Sequence, residues 1–297
     1  MNTLPTGLLI LIIVLAVLLL AAVFISVWAF TEPYILKVTT RKMYACPKDP
    51  EFKKQVVTSD NSSRKPDLRL FFFSDLHAEL CRIKPERLIA AILEAHAADP
   101  LDAVVFGGDI CNLYKSAAKG LAYLKPLSAA LSDAGIPFYG VTGNHDLEFD
   151  PSGLKCHFKC IENEQINFTS HVTGKPIVLT GVDDTGRLNR VWHKVPPVPS
   201  DAVSVLVAHN PDVILHFEED AHVDFMLSGH FHAGQIKLPF RLEFVKIRSD
   251  VLPRRGVIEG VFEHNGTTFF ISRGLGCNAL PVRLGAKPEA SVIEIYA

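Results

Sequence analysis

Five short polar blocks follow five apolar runs in a fixed order, and this pairing limits how the chain folds. Asp75-Leu76-His77 follows Leu68–Phe73, and Gly107-Gly108-Asp109 follows Ala103–Phe106. Gly143-Asn144-His145-Asp146 follows Phe138–Val141, Ala208-His209-Asn210 closes Val203–Ala208, and Gly229-His230-Phe231-His232 follows Val223–Leu227. Apolar runs this short, bounded by Gly, Asn and Asp, read as buried strands. Ligand sites of open α/β sheets lie just beyond the carboxyl ends of the strands, where neighbouring loops converge. Among the block residues at such positions are two Asp, one Asn and four His (Asp75, Asp109, Asn144, His77, His209, His230 and His232), the donor set of a site for two divalent cations.

Helical patterns separate the first strands. One runs from Pro85, a residue suited to a first turn, to Ala98, and another from Ser116 to Ala134, ended by Gly135. This alternation indicates βαβ units and parallel pairing. The second half is richer in strands, with Ile177–Val182, a hairpin of Val257–Phe262 and Thr267–Ile271 around Asn265-Gly266, and a last strand at Ser291–Tyr296. The expected fold class is α/β: two packed mixed β-sheets flanked by helices.

The N-terminus is of another kind. Residues 1–31 contain no charged side chain, and the 23 residues from Leu8 to Phe30 are almost wholly apolar. As a helix they would span about 34 Å, enough to cross a bilayer core. Trp28 and Tyr34 fall where an interfacial aromatic belt would lie. A cleaved secretory signal fits less well, because it needs a basic n-region and a shorter apolar core. The expectation is a transmembrane anchor at 1–34, a linker or entry segment at 35–65, most polar from residue 47 on, and a catalytic domain at 66–297. Lys37, Arg41, Lys42 and Lys48 follow the span and no basic residue precedes it, so the positive-inside rule puts the C-terminal domain in the cytoplasm.

Spacing adds chemistry. In Asp75-Leu76-His77 and His230-Phe231-His232, an i, i+2 pair on extended backbone would point both side chains the same way. Gly107 and Gly108 let the chain turn sharply and bring the Asp109 carboxylate close to the cations. The blocks together resemble those of the calcineurin-like metallophosphoesterases. That resemblance implies one metal held by Asp75, His77, Asp109 and His232, and a second held by Asp109, Asn144, His209 and His230. Asp109 would be shared. Two such cations would acidify a shared water and clamp phosphoryl oxygens during in-line displacement. The resemblance makes His145 a non-ligand that faces the phosphate, stabilises the transition state and protonates the leaving oxygen; Asp146 beside it would orient the imidazole or raise its pKa. Manganese is the first expectation for the metal, while iron, zinc and cobalt suit the same donors.

Isolated histidines are more often surface or packed residues than ligands, which is the reading given to His96, His157, His171, His193, His216, His222 and His264. Asp183 and Asp184 end a strand and are either site or turn residues. Asn210 and Pro211 suit the start of the next helix. Cys156 and Cys160 resemble half a zinc site, but no second half has matching spacing. The six cysteines make no disulfide framework.

Residues 237–255 carry six basic and two acidic side chains among Leu, Phe, Val and Ile. Such a segment suits contact with anionic headgroups and acyl chains. Lys237 and Arg241 within it, and Arg273 and Arg283 in later Gly-rich turns, are candidate substrate ligands. With the anchor, this layout resembles the membrane-associated, YkuE-like branch of the superfamily. The resemblance implies a lipid-linked phosphate or nucleotide-sugar substrate, foremost UDP-2,3-diacylglucosamine of lipid A biosynthesis, cleaved at the pyrophosphate to UMP and the acylated sugar 1-phosphate at the inner membrane. The alternatives are a broad phosphodiesterase or phosphatase of soluble substrates, and a non-catalytic scaffold. A net charge of −2 speaks against bulk nucleic-acid binding, and nothing in the pattern points to a protein partner.

Overall fold

The structure, a computed structural model, describes residues 5–55, 64–146, 157–170, 172–182, 194–246 and 250–297. Two mixed sheets stack on each other. The first contains β1 (Lys37–Tyr44), β3 (Leu68–Phe73), β4 (Ala103–Phe106), β5 (Phe138–Gly140), β6 (Lys159–Cys160) and β13 (Glu289–Tyr296), in the order β1-β13-β3-β4-β5-β6. The second contains β2 (Lys53–Lys54), β7 (Gln165–Thr169), β8 (Pro176–Val182), β9 (Val203–Ala208), β10 (Phe225–Ser228), β11 (Gly260–His264) and β12 (Thr267–Ile271), in the order β2-β11-β12-β10-β9-β8-β7.

The unbroken apolar runs are explained by burial on both faces. In β3, Phe71 and Phe73 pack with Leu88 and Ile92 of α2 (Pro85–Ala98) and Leu124 and Leu127 of α3 (Ala117–Asp133). Leu70 and Phe72, on the other face, meet Val205, Phe225 and Phe270 of the second sheet. In β10, Phe225 and Leu227 face that shared core, while Met226 packs outward with Phe231, Phe244 and Leu252. Alternate residues therefore serve different cores, and each fully buried Phe or Leu contributes about 1.5–3 kcal/mol. β3, β4 and β5 pair in parallel, as do β8, β9, β10 and β12. Their carboxyl ends consequently share one edge. The β11–β12 hairpin turns at Asn265 and Gly266, both left-handed (φ 48° and 89°), as a two-residue type I′ loop requires.

The helix α1 (Thr6–Thr31) has no buried residue and is long and apolar enough to cross a bilayer, at about 39 Å. Its foot is built into the domain. The Arg283 N–H donates to the Ala29 carbonyl at 3.0 Å, and the Gly285 N–H donates to Glu32 Oε2 at 3.0 Å. After one 3₁₀ turn at Glu32–Tyr34 the chain enters β1, which pairs in parallel with β13 from Lys37↔Glu289 to Tyr44↔Tyr296. The stretch 35–65, expected as a linker or entry segment, contributes strands to both sheets. Residues 37–44 form an edge strand with only Met43 buried, and residues 53–54 add the two-residue β2. An edge strand that buries only one side chain carries no apolar alternation, so its sequence looked like a tether.

Candidate metal centre

All five blocks meet where the two sheets present their carboxyl ends. β3, β4 and β5 deliver Asp75, His77, Asp109, Asn144 and His145 from one sheet, and β9 and β10 deliver His209, His230 and His232 from the other. Main-chain hydrogen bonds stitch the loops together: Asp75 N–H to Gly108 O at 2.8 Å, His77 N–H to Asp109 O at 3.1 Å, and Gly229 N–H to His209 O at 3.0 Å.

Two clusters of donor atoms result. Asp75, His77 and His232 form one, and Asp109, His209 and His230 form the other. The Asp109 carboxylate lies between them, with Oδ2 3.1 Å from His209 Nε2 and 3.6 Å from His77 Nε2. His77 Nε2 and His232 Nε2 are 3.1 Å apart, and His232 Nε2 is 3.3 Å from Asp75 Oδ1. His209 Nε2 and His230 Nδ1 are 3.3 Å apart. Nitrogen and oxygen lone pairs crowded this closely repel unless cations or protons intervene.

The i, i+2 pairs do not work through extended backbone as expected. Asp75, His77, Asp109, His230 and His232 all have left-handed φ, between 39° and 70°. Each such residue costs on the order of 1–2 kcal/mol. The surrounding fold holds them there. Gly108 (φ 93°) sits so tightly that a Cβ would come within 2.7 Å of Gly143 N and 2.8 Å of His209 Nδ1. Gly274 (φ 69°), in the loop after β12, backs onto Asp75, where a Cβ would approach the Asp75 Cβ to 2.6 Å.

Neighbouring groups fix which ring atom faces the centre. His209 Nδ1 lies 2.7 Å from the Gly107 carbonyl, so it carries the proton and Nε2 faces the centre. His230 is turned the other way. Its Nε2 lies 3.2 Å from Asp250 Oδ1, leaving Nδ1 to the centre. The Asp75 carboxylate accepts the Ser74 hydroxyl at 2.6 Å and the His230 N–H at 2.9 Å. Burial, opposed by the Asp109 carboxylate, lowers His77 to about 3, so its imidazole is a neutral ligand at physiological pH. Burial would raise Asp109, but His209 and His77 outweigh it and hold the carboxylate well below its usual range.

These residues fit a pair of divalent cations. Asn144 is buried and its side-chain oxygen has no hydrogen-bond donor among the described residues, as expected of an oxygen reserved for a metal. One cation would be held by Asp75, His77, Asp109 and His232, the other by Asp109, Asn144, His209 and His230.

The calcineurin-like phosphoesterase family model matches residues 68–234, which span every block. The chain belongs to this family. It is therefore a metal-dependent phosphoesterase, a hydrolase. Among its relatives, the Bacillus subtilis (strain 168) metallophosphoesterase YkoQ is 30% identical over 80% of this chain and 86% of its own length. YpbG of the same organism is 29% identical over 86% of this chain and 92% of its own length. The Escherichia coli (strain K12) phosphodiesterase YaeI is 25% identical over 76% of this chain and 82% of its own length.

Several expected roles change in the structure. Asp146 does not touch the His145 ring. It accepts the backbone N–H groups of Asp109 (2.7 Å), Ile110 (2.8 Å) and Gly143 (2.9 Å), and so pins the Asp109 loop to the Asn144 loop. Burial and the nearby Asp109 carboxylate push it up to about 7, against the pull of those N–H groups. The His145 ring is oriented instead by the Asn112 carbonyl, 2.9 Å from Nδ1, while the His145 N–H donates to Asp109 Oδ1 at 2.9 Å. With Nδ1–H engaged, Nε2 is the atom left to handle a proton.

Arg283 is not a surface substrate ligand. It is fully buried, and its guanidinium donates to the carbonyls of Arg273, Gly274, Gly276 and Ala286. One of its nitrogens lies 3.3 Å from His232 Nδ1. It braces the loop behind Asp75 and His77 because only a long, five-donor side chain satisfies so many carbonyls at once. Arg273 pairs with Glu259 and lies 3.7 Å from Glu289, Lys237 pairs with Glu259, and Arg241 is exposed with left-handed φ. In the 237–255 segment, Phe244 and Leu252 pack inside while Leu238, Phe240, Leu242 and Val251 remain exposed. Asp183, Asp184 and Cys156 lie outside the described residues.

Asp250 was not singled out from the sequence. It stands in a loop 18 residues beyond His232 with no pattern around it. Asp212 holds that loop by accepting the Val251 and Leu252 N–H groups at 2.7 and 3.0 Å. Replacing Asp250 with alanine should weaken metal binding about 10–100-fold, because His230 loses the partner that fixes its tautomer. Titrating activity against Mn²⁺ should show the shift, with turnover recovering at saturating metal.

Proposed function

We propose that this chain is a membrane-anchored, dinuclear-metal hydrolase of a phosphodiester or pyrophosphate bond in a lipid-linked substrate. The supporting observation is the short path from α1 to the centre. Arg283 bonds the helix foot through its N–H and the loop behind the Asp75 block through its guanidinium, so anchor and catalytic loops share one rigid connection. The exposed Leu238, Phe240 and Leu242 lie a few residues beyond His232, beside Lys237 and Arg241, a mixture suited to a bilayer surface. The basic residues after the helix favour a cytoplasmic domain at the inner membrane.

Within this class, UDP-2,3-diacylglucosamine is the substrate we favour, and it would assign the chain to the membrane-associated, YkuE-like branch. When bound, the metals would polarise the phosphoryl oxygens and activate the attacking water. The protein's own contribution is to hold seven donors in strained, pinned loops and to leave His145 Nε2 unencumbered for the departing oxygen. A soluble phosphodiester or phosphate ester as natural substrate is the second reading; the name phosphodiesterase carried by YaeI fits a diester bond in either substrate.

Detergent-purified full-length protein with Mn²⁺ should release UMP from UDP-2,3-diacylglucosamine. Hydrolysis of a model diester without UMP release would reject the lipid A substrate and leave the enzyme class standing.

A further inference from the structure

A cleft of about 540 Å³ opens where α1 meets the catalytic domain, lined by Trp28, Glu32, Lys37, Arg273, Gly285 and Lys287 among others. Its position is unusual. Trp28 lies in the last turn of the apolar helix and Glu32 opens the 3₁₀ turn directly after it, so the cleft lies at the depth of lipid headgroups if α1 spans a bilayer.

Glu32 is the informative residue. It is only 1% exposed, directly after a run without charges. One carboxylate oxygen accepts the Gly285 N–H, but the other, Oε1, is buried with no hydrogen-bond partner among the described residues. A buried carboxylate oxygen without a donor is costly, which implies that a donor arrives from outside. Across the cleft, the Lys287 ammonium lies 5.7 Å from the centroid of the Trp28 ring, and Lys37 stands on the rim. Arg273 is already engaged by Glu259 and Glu289. The cleft thus offers one unmet acceptor deep inside and two lysines nearer its mouth.

We infer that this cleft binds a phospholipid headgroup bearing a phosphate and a primary ammonium, that is, phosphoethanolamine. The ammonium donates to Glu32 Oε1, and the phosphate meets Lys37 and Lys287. The acyl chains then run along α1. Headgroup binding locks the helix foot, and through Gly285 and Arg283 it steadies the loop behind Asp75. This proposal rests on α1 spanning a bilayer and is independent of which substrate the metal centre cleaves.

The test measures lipid retention without turnover. Full-length protein, delipidated in detergent with EDTA present, is exposed to phosphatidylethanolamine, phosphatidylcholine or phosphatidylglycerol and the bound lipid is counted by native mass spectrometry. Phosphatidylethanolamine should be retained about tenfold over phosphatidylcholine, whose quaternary head cannot donate a hydrogen bond. Glu32→Gln should erase that preference while hydrolysis of a soluble diester with Mn²⁺ stays intact, showing that the fold survives. Lys287→Gln should weaken retention of both lipids alike, since both carry the phosphate. Equal retention of the two lipids by the wild type would overturn the proposal. So would a preference that survives Glu32→Gln, a Lys287→Gln variant that binds normally, or tighter retention of phosphatidylglycerol than of phosphatidylethanolamine.

Discussion

Replacing Asp109 with alanine should lower hydrolysis of a model diester by roughly 10³-fold or more. Its carboxylate lies within 3.1–3.6 Å of histidines from both donor clusters, so its loss affects both cation positions at once. Two further effects point the same way. The His145 N–H loses its acceptor on Oδ1, and the buried imidazoles of His77 and His209 lose the negative charge beside them. Elemental analysis of the purified variant should find fewer than two bound metals per chain. The measurement separates loss of the site from loss of the fold, because Asp146 still pins the 109–110 backbone and the variant should unfold cooperatively. Activity within tenfold of wild type would reject the shared-carboxylate arrangement.

The strands and their blocks were legible because they obey simple rules. β3, β4, β9 and β12 have the boundaries their apolar runs suggested, and α2 begins at Pro85 and ends at Ala98 as its pattern implied. Burial on both faces makes such runs unmistakable. The donor residues were legible for a related reason: polar, ligand-type side chains directly behind buried strands have few other places to go.

What stayed hidden depends on contacts distant in sequence. β1 was hard to read because it pairs with β13, some 250 residues away, and only Met43 of its residues is buried. Arg283 looked like a phosphate ligand because an arginine in a Gly-rich turn gives no sign of which carbonyls surround it. Asp146 was assigned to its neighbour His145, whereas its hydrogen bonds run to Asp109, Ile110 and Gly143. Left-handed φ at five ligands is equally silent in the sequence, since Asp and His carry no glycine-like mark. The pattern thus pointed to side chains that the fold brings together, and tertiary structure decided what orients them.

His145→Asn should reduce turnover by about 10²–10⁴-fold on a diester whose leaving group is an alkoxide, and far less on one that expels nitrophenolate. The difference follows from what His145 can do. Its ring packs edge-on against His77, with centroids 5.2 Å apart, and Nδ1 is committed to the Asn112 carbonyl. The remaining nitrogen is free to protonate a departing oxygen at the border of the donor clusters. An alkoxide leaves poorly without that proton, while nitrophenolate is stable enough to leave as the anion. Metal content should remain at the wild-type level, because His145 belongs to neither donor cluster. This separates it from Asp109, whose replacement should lower activity on both substrates together with the metal. If His145→Asn slowed the two leaving groups equally, its imidazole would be stabilising charge on the phosphoryl group rather than delivering a proton. If it also stripped the metals, His145 would have to be counted among the groups that hold the centre.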